Sequence, residues 1–359
     1  MSFSLDNEAN VLLGDSARKF LSASSGRSVG AARPRADREA SWKAVAAMGW
    51  LGLAVPESDG GFGGSGGQFL MLLEESGRAL SDEPLLVNLL ALKAFAPVLA
   101  PALLQRVMAG DARLAMLDGD SPRSAIRFDD SPEGVRFTGS PGLSLGADCA
   151  THLLFHATHV NGCGQAVFVL PASDPSVAVA PQRLVDGCGA ARVALSGSTS
   201  AAAVLARGEK AQQIASEARD LLAAGAAAEA YGAADAAFRL TLEYLKQRVQ
   251  FGKPLSRLQA VQHSMADAYR SLEQQKSLLV WLAHAMDGGP QERMRAVSGA
   301  KSFAGGRCRE AVETCIQLSG GIGMTDEYAL GHFYKRVLAR GALFGTADEH
   351  LWRLAMLGA

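Results

Sequence analysis

The chain has 359 residues, 48% hydrophobic and 20% charged, enough apolar material for two or three cored domains. Its 35 basic and 36 acidic side chains leave a net charge of −1, which gives no electrostatic footprint for nucleic acid or an anionic membrane. No apolar run reaches the length of a membrane span, and Cys149, Cys163, Cys188, Cys308 and Cys315 lack the spacing of a zinc site.

An odd number of cysteines without CxxC pairs argues against a disulfide framework and fits a reducing compartment. Met1 to Glu8 has neither the basic nor the apolar part of a secretory signal. The expectation is a cytoplasmic protein with no metal site.

Residues 1–112 read as an all-α domain. Ala17 to Leu21 and Trp42 to Met48 carry helical patterns. An apolar segment from Gly49 then runs into a glycine-rich stretch ending at Gly67. Gly61-x-Gly63-x-x-Gly66 formally matches a dinucleotide fingerprint, but Pro56 to Asp59 separates the glycines from the apolar run and no βαβ pattern surrounds them. The expectation is a flexible turn before a helix over Gln68 to Leu80. Leu85 to Met108 is a further helical stretch, divided by Pro97 and Pro101.

Residues 113–205 form the expected middle β domain. Short apolar runs start at Leu114, Ala125, Gly134, His152, Ala166, Val177 and Val193, punctuated by Asp, Ser, Pro and Gly, as in a small barrel or sandwich. After the Ala/Ser run Ser198 to Ala203 the helical pattern returns. Residues 206–359 are expected to form a four-helix-bundle-like domain. The class is α+β, ordered helical, β, helical.

Within the last segment, Glu217 to Gln247 is rich in Ala and Leu without proline, and Ala260 to Met286 is periodic again. Gly252 and Pro254 interrupt the pattern. A helix hairpin follows, with Arg248, Gln250 and Phe251 at its turn. A cation, an amide and an aromatic at one turn can hold an anionic, planar ligand. A capped helix end with a surface arginine meets the same spacing.

Arg248-x-Gln250-Phe251-Gly252-Lys253-Pro254-Leu255, then Gln259 and Gln262-His263-Ser264-Met265-Ala266-Asp267, resembles the acyl-CoA dehydrogenase family. Gln317-Leu-Ser-Gly320-Gly321-Ile-Gly-Met324 resembles that family's second flavin-binding block, and Glu74-Glu75-Ser-Gly-Arg-Ala-Leu80 resembles its N-terminal domain. The resemblance implies FAD as cofactor and an acyl-CoA thioester as substrate. It implies removal of the α proton by a carboxylate as hydride leaves the β carbon for the flavin, giving a 2-enoyl-CoA, with an electron-transfer flavoprotein as acceptor. By position, Arg248, Gln250, Phe251, Gln259, Gln317, Gly320 and Gly321 match residues at the pyrophosphate and adenine end, reached across a subunit interface. Thr346 matches a flavin-site threonine and Arg219 an arginine near the substrate. A surface position at a helix start serves Arg219 equally.

The base is not at its usual place. Most of the family has glutamate where this chain has Phe344. A minority places it immediately before the arginine matched by Arg219, where this chain has Ala218, with Glu217 turned about 100° away on a helix. Asp348 and Glu349 are the other nearby acids, and a solvated helix start accounts for both. Met116 to Arg123 replaces the family's Thr-Glu-Pro-x-x-Gly-Ser-Asp loop, and Gly139 to Gly146 replaces Gly-x-Lys-x-x-Ile-Thr-Asn. Arg123, Arg127 and Arg136 suit a dicarboxylate or the CoA phosphates, though arginines on a β domain are ordinarily surface.

These departures, with Glu83-Pro84, Gly331 to Arg336 and Phe344-Gly-x-x-Asp-x-His-Leu351, are similar to small subunits of pimeloyl-CoA dehydrogenase-type heteromeric enzymes. The expected function is an FAD-dependent acyl-CoA dehydrogenase, or a subunit of one, in a homo- or hetero-oligomer whose large subunit supplies the glutamate. The alternative is a non-catalytic structural subunit. A flavoenzyme of other chemistry, such as a monooxygenase or nitroalkane oxidase, is a third reading that no residue favours.

Overall fold

The computed structural model describes residues 8–25, 35–117, 125–132 and 134–357. The helices are α1 (Glu8–Ser25), α2 (Arg35–Ala47), α3 (Gly66–Arg78), α4 (Leu85–Phe95), α5 (Pro101–Met108), α6 (Gly208–Gln247), α7 (Gln259–Met286), α8 (Pro290–Phe303), α9 (Arg309–Ser319), α10 (Leu330–Ala342) and α11 (Ala347–Leu357). The strands are β1 (Leu114–Leu117), β2 (Arg127–Ser131), β3 (Gly134–Gly139), β4 (Leu143–Leu145), β5 (His152–His159), β6 (Gln165–Pro171), β7 (Val177–Arg183), β8 (Gly189–Thr199), β9 (Val204–Arg207), β10 (Val249–Gln250) and β11 (Lys253–Pro254). Two compact units result, one from Met1–Ala31, Ser65–Ser81 and Ala223–Ala359, the other from Ala32–Gly64 and Asp82–Leu222. Among the described residues no helix is long and apolar enough to cross a membrane.

The second unit is built on a mixed sheet ordered β4-β8-β3-β2-β5-β6-β9, with β1 also on β5 and β7 also on β8. β5 runs parallel to β1 and β2 and antiparallel to β6. Alternation along β2 and β3 turns Phe128 and Phe137 inward and Arg127 and Arg136 outward. Phe128, Phe137, Phe155 and Phe168 then meet edge-to-face or stacked at 4.8–5.3 Å between centroids, forming the core of the sheet. Asn88 ties α4 to this sheet. Its Nδ2 donates to the Pro84 carbonyl at 2.9 Å, and its Oδ1 accepts from the Leu114 amide at 2.7 Å.

The expected middle β domain is a mixed sheet with two side branches, and β4 and β9 carry too few apolar residues to register as strands in sequence. The helical pattern expected after Ala203 starts only at Gly208, because Val204–Arg207 pairs with β6 first. The glycine-rich stretch also differs from expectation. It is stitched down, not a loose turn: the amides of Phe62, Gly63 and Gly64 donate to the carbonyls of Gly52, Val55 and Leu53 at 2.7–2.9 Å. Gly61 is required there, since a Cβ would lie 2.1 Å from the Val55 carbonyl oxygen.

In the first unit, α3 starts at a capping box between Ser65 and Gln68 and crosses α6 at two glycines. A Cβ on Gly77 would lie 2.0 Å from the Glu229 carbonyl oxygen, and one on Gly232 would lie 2.0 Å from that of Glu74. The close crossing brings charges together. Arg78 bonds Glu74 at 2.5 Å and also Asp235, while Arg18 reaches Glu75 at 2.9 Å. Glu229, 1% exposed, accepts from Ser76 Oγ at 2.8 Å and from Arg340 on α10.

A second cluster fixes the turn between α10 and α11. Lys301 Nζ, on α8, donates to the carbonyls of Gly341 at 2.8 Å and Gly345 at 2.6 Å. His350 Nε2 donates to the Phe344 carbonyl at 3.0 Å, so Nδ1 accepts from Ser298 Oγ at 3.2 Å. Burial pulls Lys301 from its ordinary 10.5 down to about 7 and His350 from 6.5 down to about 4.

Two outcomes are expected. Replacing Gly232 by Ala adds about 1 kcal/mol of helix propensity, but the 2.0 Å approach forces the helices apart. The net result is a loss of about 1–3 kcal/mol, read as a lower urea midpoint. Stability also follows pH through the buried bases. Between pH 7 and 10.5 the unfolded chain holds a proton on Lys301 that the folded chain has released, so stability rises with pH in that window. By the same sign, His350 withdraws stability as pH falls from 6.5 to about 4. Urea midpoints against pH check both, with Lys301→Met abolishing the alkaline rise.

Candidate functional site

The hairpin between α6 and α7 is a two-residue β turn on a short ribbon. Val249 pairs with Pro254 and Gln250 with Lys253. Phe251 and Gly252 both have positive φ, 54° and 75°, the backbone of a tight primed turn. Glycine takes this freely, whereas a bulky aromatic there is strained. Phe251 is nevertheless 85% exposed, and Val249 beside it is 55% exposed. The Arg248 amide donates to the Tyr244 carbonyl at 2.8 Å and its carbonyl accepts from Leu255 at 2.9 Å, so the backbone is fixed while the guanidinium is exposed. Gln250 is exposed on the ribbon, and Gln259 is exposed at the first position of α7.

The second block ends α9. Gln317 is exposed and lines an open groove with Ser264 of α7 and Glu310, Glu313, Thr314 and Leu318 of α9. Both glutamates are engaged, Glu310 by Arg307 at 2.7 Å and Glu313 by the Tyr334 hydroxyl at 3.0 Å. Gly320 breaks the helix at φ 66°, and nothing lies within 4 Å of where a Cβ would stand on Gly320 or Gly321. The rings of Tyr244, one turn before Arg248, and Tyr328, four residues past Met324, are 6.2 Å apart. That contact places the end of α6 beside the chain that follows the glycines. A guanidinium, three amides, an aromatic ring and bare glycine backbone supply donors and a stacking face, a set that fits the adenosine diphosphate half of FAD.

Thr346 stands elsewhere in the same unit, after α10. It caps α11: Glu349 Oε2 accepts from the Thr346 amide at 2.7 Å and its hydroxyl at 3.0 Å, and the Glu349 amide donates back to that hydroxyl at 3.3 Å. The hydrogen bond from the Thr346 amide holds the Glu349 carboxylate below its usual range. Asp348 is exposed in the same first turn. Phe344 is half-buried, at φ 58°. Glu217 and Arg219 are half-buried in the first part of α6, within the other unit, with Ala218 fully buried between them. Arg127 and Arg136 are exposed on the sheet. Arg123 and the replaced loop's residues 118–123 lie outside the described residues.

Lys301 is a buried polar residue not singled out from the sequence, and His350 enters there only within the Phe344 to Leu351 motif. A signal was present: Arg293, Val297, Lys301, Ala304 and Cys308 follow one helical face at three- and four-residue steps, and all five are buried.

The chain is similar to known proteins over most of its length. The acyl-CoA dehydrogenase N-terminal domain model matches residues 7–98 and the C-terminal domain model residues 213–356, together about two thirds of the chain. Acyl-CoA dehydrogenase FadE34 of Mycobacterium tuberculosis is 29% identical over 315 residues, 87% of this chain and 41% of its own length. The chain spans about two fifths of the length of the curated relatives it matches first. Among solved structures, the ChsE4–ChsE5 complex of Mycobacterium tuberculosis superposes with a TM-score of 0.88 at 25% identity, covering 98% of this chain and 97% of that one. The Tcur3481–Tcur3483 steroid ACAD G363A variant gives 0.84 at 28% identity, with the same coverage. On these matches, which include both helical ends and the whole fold, the chain belongs to the acyl-CoA dehydrogenase family.

Proposed function

We propose that the chain is the subunit of a heteromeric FAD-dependent acyl-CoA dehydrogenase that binds the cofactor's diphosphate end and takes its catalytic carboxylate from a partner subunit. The observation that carries this reading is the Arg248 to Phe251 turn. A strained phenylalanine 85% exposed at a ribbon tip costs stability in the isolated chain, and a partner surface or ligand that covers it offsets that cost. Family membership and the two-chain composition of the ChsE4–ChsE5 complex support the heteromeric form.

In this reading Arg248 neutralises the pyrophosphate, Gln250, Gln259 and Gln317 donate hydrogen bonds at the adenine end, and Phe251 stacks. Gly320 and Gly321 let the backbone approach without a side chain in the way. Thr346 faces the flavin end and Arg219 the substrate. When bound, FAD supplies the hydride acceptor for α,β-dehydrogenation of an acyl-CoA to a 2-enoyl-CoA, and an electron-transfer flavoprotein takes the electrons. None of Glu217, Asp348 and Glu349 is assigned the base. Glu349 is held ionised by the Thr346 cap, and a good base at neutral pH needs a raised affinity for protons rather than a lowered one. Five free cysteines fit a cytoplasmic setting, and oxidoreduction of acyl chains fits fatty acid metabolism.

The test is co-expression with a glutamate-bearing large subunit, followed by mass detection of 2-enoyl-CoA from a panel of acyl-CoAs. Activity is expected only in the mixed complex. Arg248→Ala and Phe251→Ala are expected to weaken FAD binding about 10- to 100-fold, in line with the loss of one charge-assisted contact or one stacked ring. Undiminished FAD binding in both variants, or full dehydrogenase turnover by this chain alone, would sink the proposal.

A further inference from the structure

The turn from Leu343 to Thr346 is held by side chains from two other helices. The last α-helical bond of α10 is donated by the Leu343 amide to the Ala339 carbonyl at 3.1 Å. Beyond it the chain turns left-handed, with Phe344 at φ 58° and Gly345 at φ 102°. Three carbonyls at and just beyond the helix end are taken by side chains: Gly341 and Gly345 by Lys301, Phe344 by His350.

Lys301 is 0% exposed, and both acceptors of its Nζ are main-chain carbonyls, not carboxylates. Burial is the largest influence on it, and Glu349 on α11 and Arg340 on α10 act with opposite signs. An ammonium is expensive to bury, and a methionine would fill the same volume without that cost. What the lysine supplies is a pair of N–H donors at the carbonyl end of α10, bonded on both sides of the turn. The surroundings leave the turn little room. A Cβ on Gly305 would stand 3.3 Å from Ala347 Cβ, and one on Gly345 would stand 2.6 Å from His350 Nε2. Gly305 lies in a π-helical turn, Ala304–Cys308, that directly follows α8.

We propose that Lys301, with His350, is a positioning residue that sets the backbone of the Leu343–Thr346 turn and so places Phe344 and Thr346 for the bound flavin and substrate. The placing of Phe344 and Thr346 toward flavin rests on the function proposed above; the fixing of the turn does not.

Hydrogen–deuterium exchange on the co-expressed complex separates the two. In Lys301→Met, exchange of the amides of 343–347 is expected to rise tenfold or more, with α7 and α9 unchanged, and FAD dissociation to speed up at least fivefold. His350→Gln keeps a donor for the Phe344 carbonyl and should stay within twofold of wild type, whereas His350→Leu should match Lys301→Met. Unchanged exchange at 343–347, a uniform rise over all helices, or equal behaviour of the two His350 variants overturns the proposal. If Lys301→Met does not fold, the His350 pair decides. A wild-type complex that binds no FAD would remove the functional reading, while the exchange data would still decide whether Lys301 sets the turn.

Discussion

Two glycines determine how closely α3 and α6 can approach, and much of the first unit follows from that distance. With Gly77 over the Glu229 carbonyl and Gly232 over that of Glu74, the backbones meet without side chains between them. The acids on both helices then fall where arginines must meet them. Glu75 and Glu229 are 4% and 1% exposed, which only paired carboxylates sustain. Such pairs are poor evidence of net stability, because well-packed apolar residues often serve as well. Removing one partner is another matter, costing about 3–5 kcal/mol by leaving a buried charge alone. The network therefore acts mainly by penalising other arrangements.

Glu229 extends that constraint to the site. It fixes Arg340 near the end of α10, one residue before Gly341, whose carbonyl Lys301 holds. The same helix, α6, ends in the ribbon that carries Arg248 and Phe251. One crossing thus orients both the exposed hairpin and the Phe344 turn within a single unit. The contrast between the two is informative. At the hairpin, a strained aromatic is left in solvent. At the α10–α11 turn, two buried side chains, Lys301 and His350, take three main-chain carbonyls.

Much of this was legible in sequence for plain reasons. Seven apolar runs with Gly, Asp and Pro between them became seven of the strands, since period-two patterning is how a sheet buries one face. Gly252 and Pro254 marked the hairpin because no helix continues through them. Phe344 at the usual glutamate position was readable directly. Other features were hidden. β4 and β9 are three and four residues long and are set by their partners β8 and β6. The glycine-rich stretch is held by main-chain bonds that leave no mark on residue type. Thr346-Ala-Asp-Glu349 spelled a capping box, but two adjacent acids suggested a solvated face. Lys301 escaped notice because a lone lysine is ordinarily exposed, and only the periodicity of its neighbours places it inside, while His350 stood out only as part of the Phe344 to Leu351 motif.

In the proposed function this chain contributes cofactor-binding groups and a partner subunit contributes the base. The most direct measurement is the flavin content of the purified chain, alone and with its large-subunit partner, taken from the absorption spectrum beside a sizing run. Little bound flavin is expected in the chain alone, and a yellow mixed oligomer that bleaches when an acyl-CoA is added without oxygen. A homo-oligomer of this chain carrying one FAD per subunit and bleaching with an acyl-CoA would contradict it.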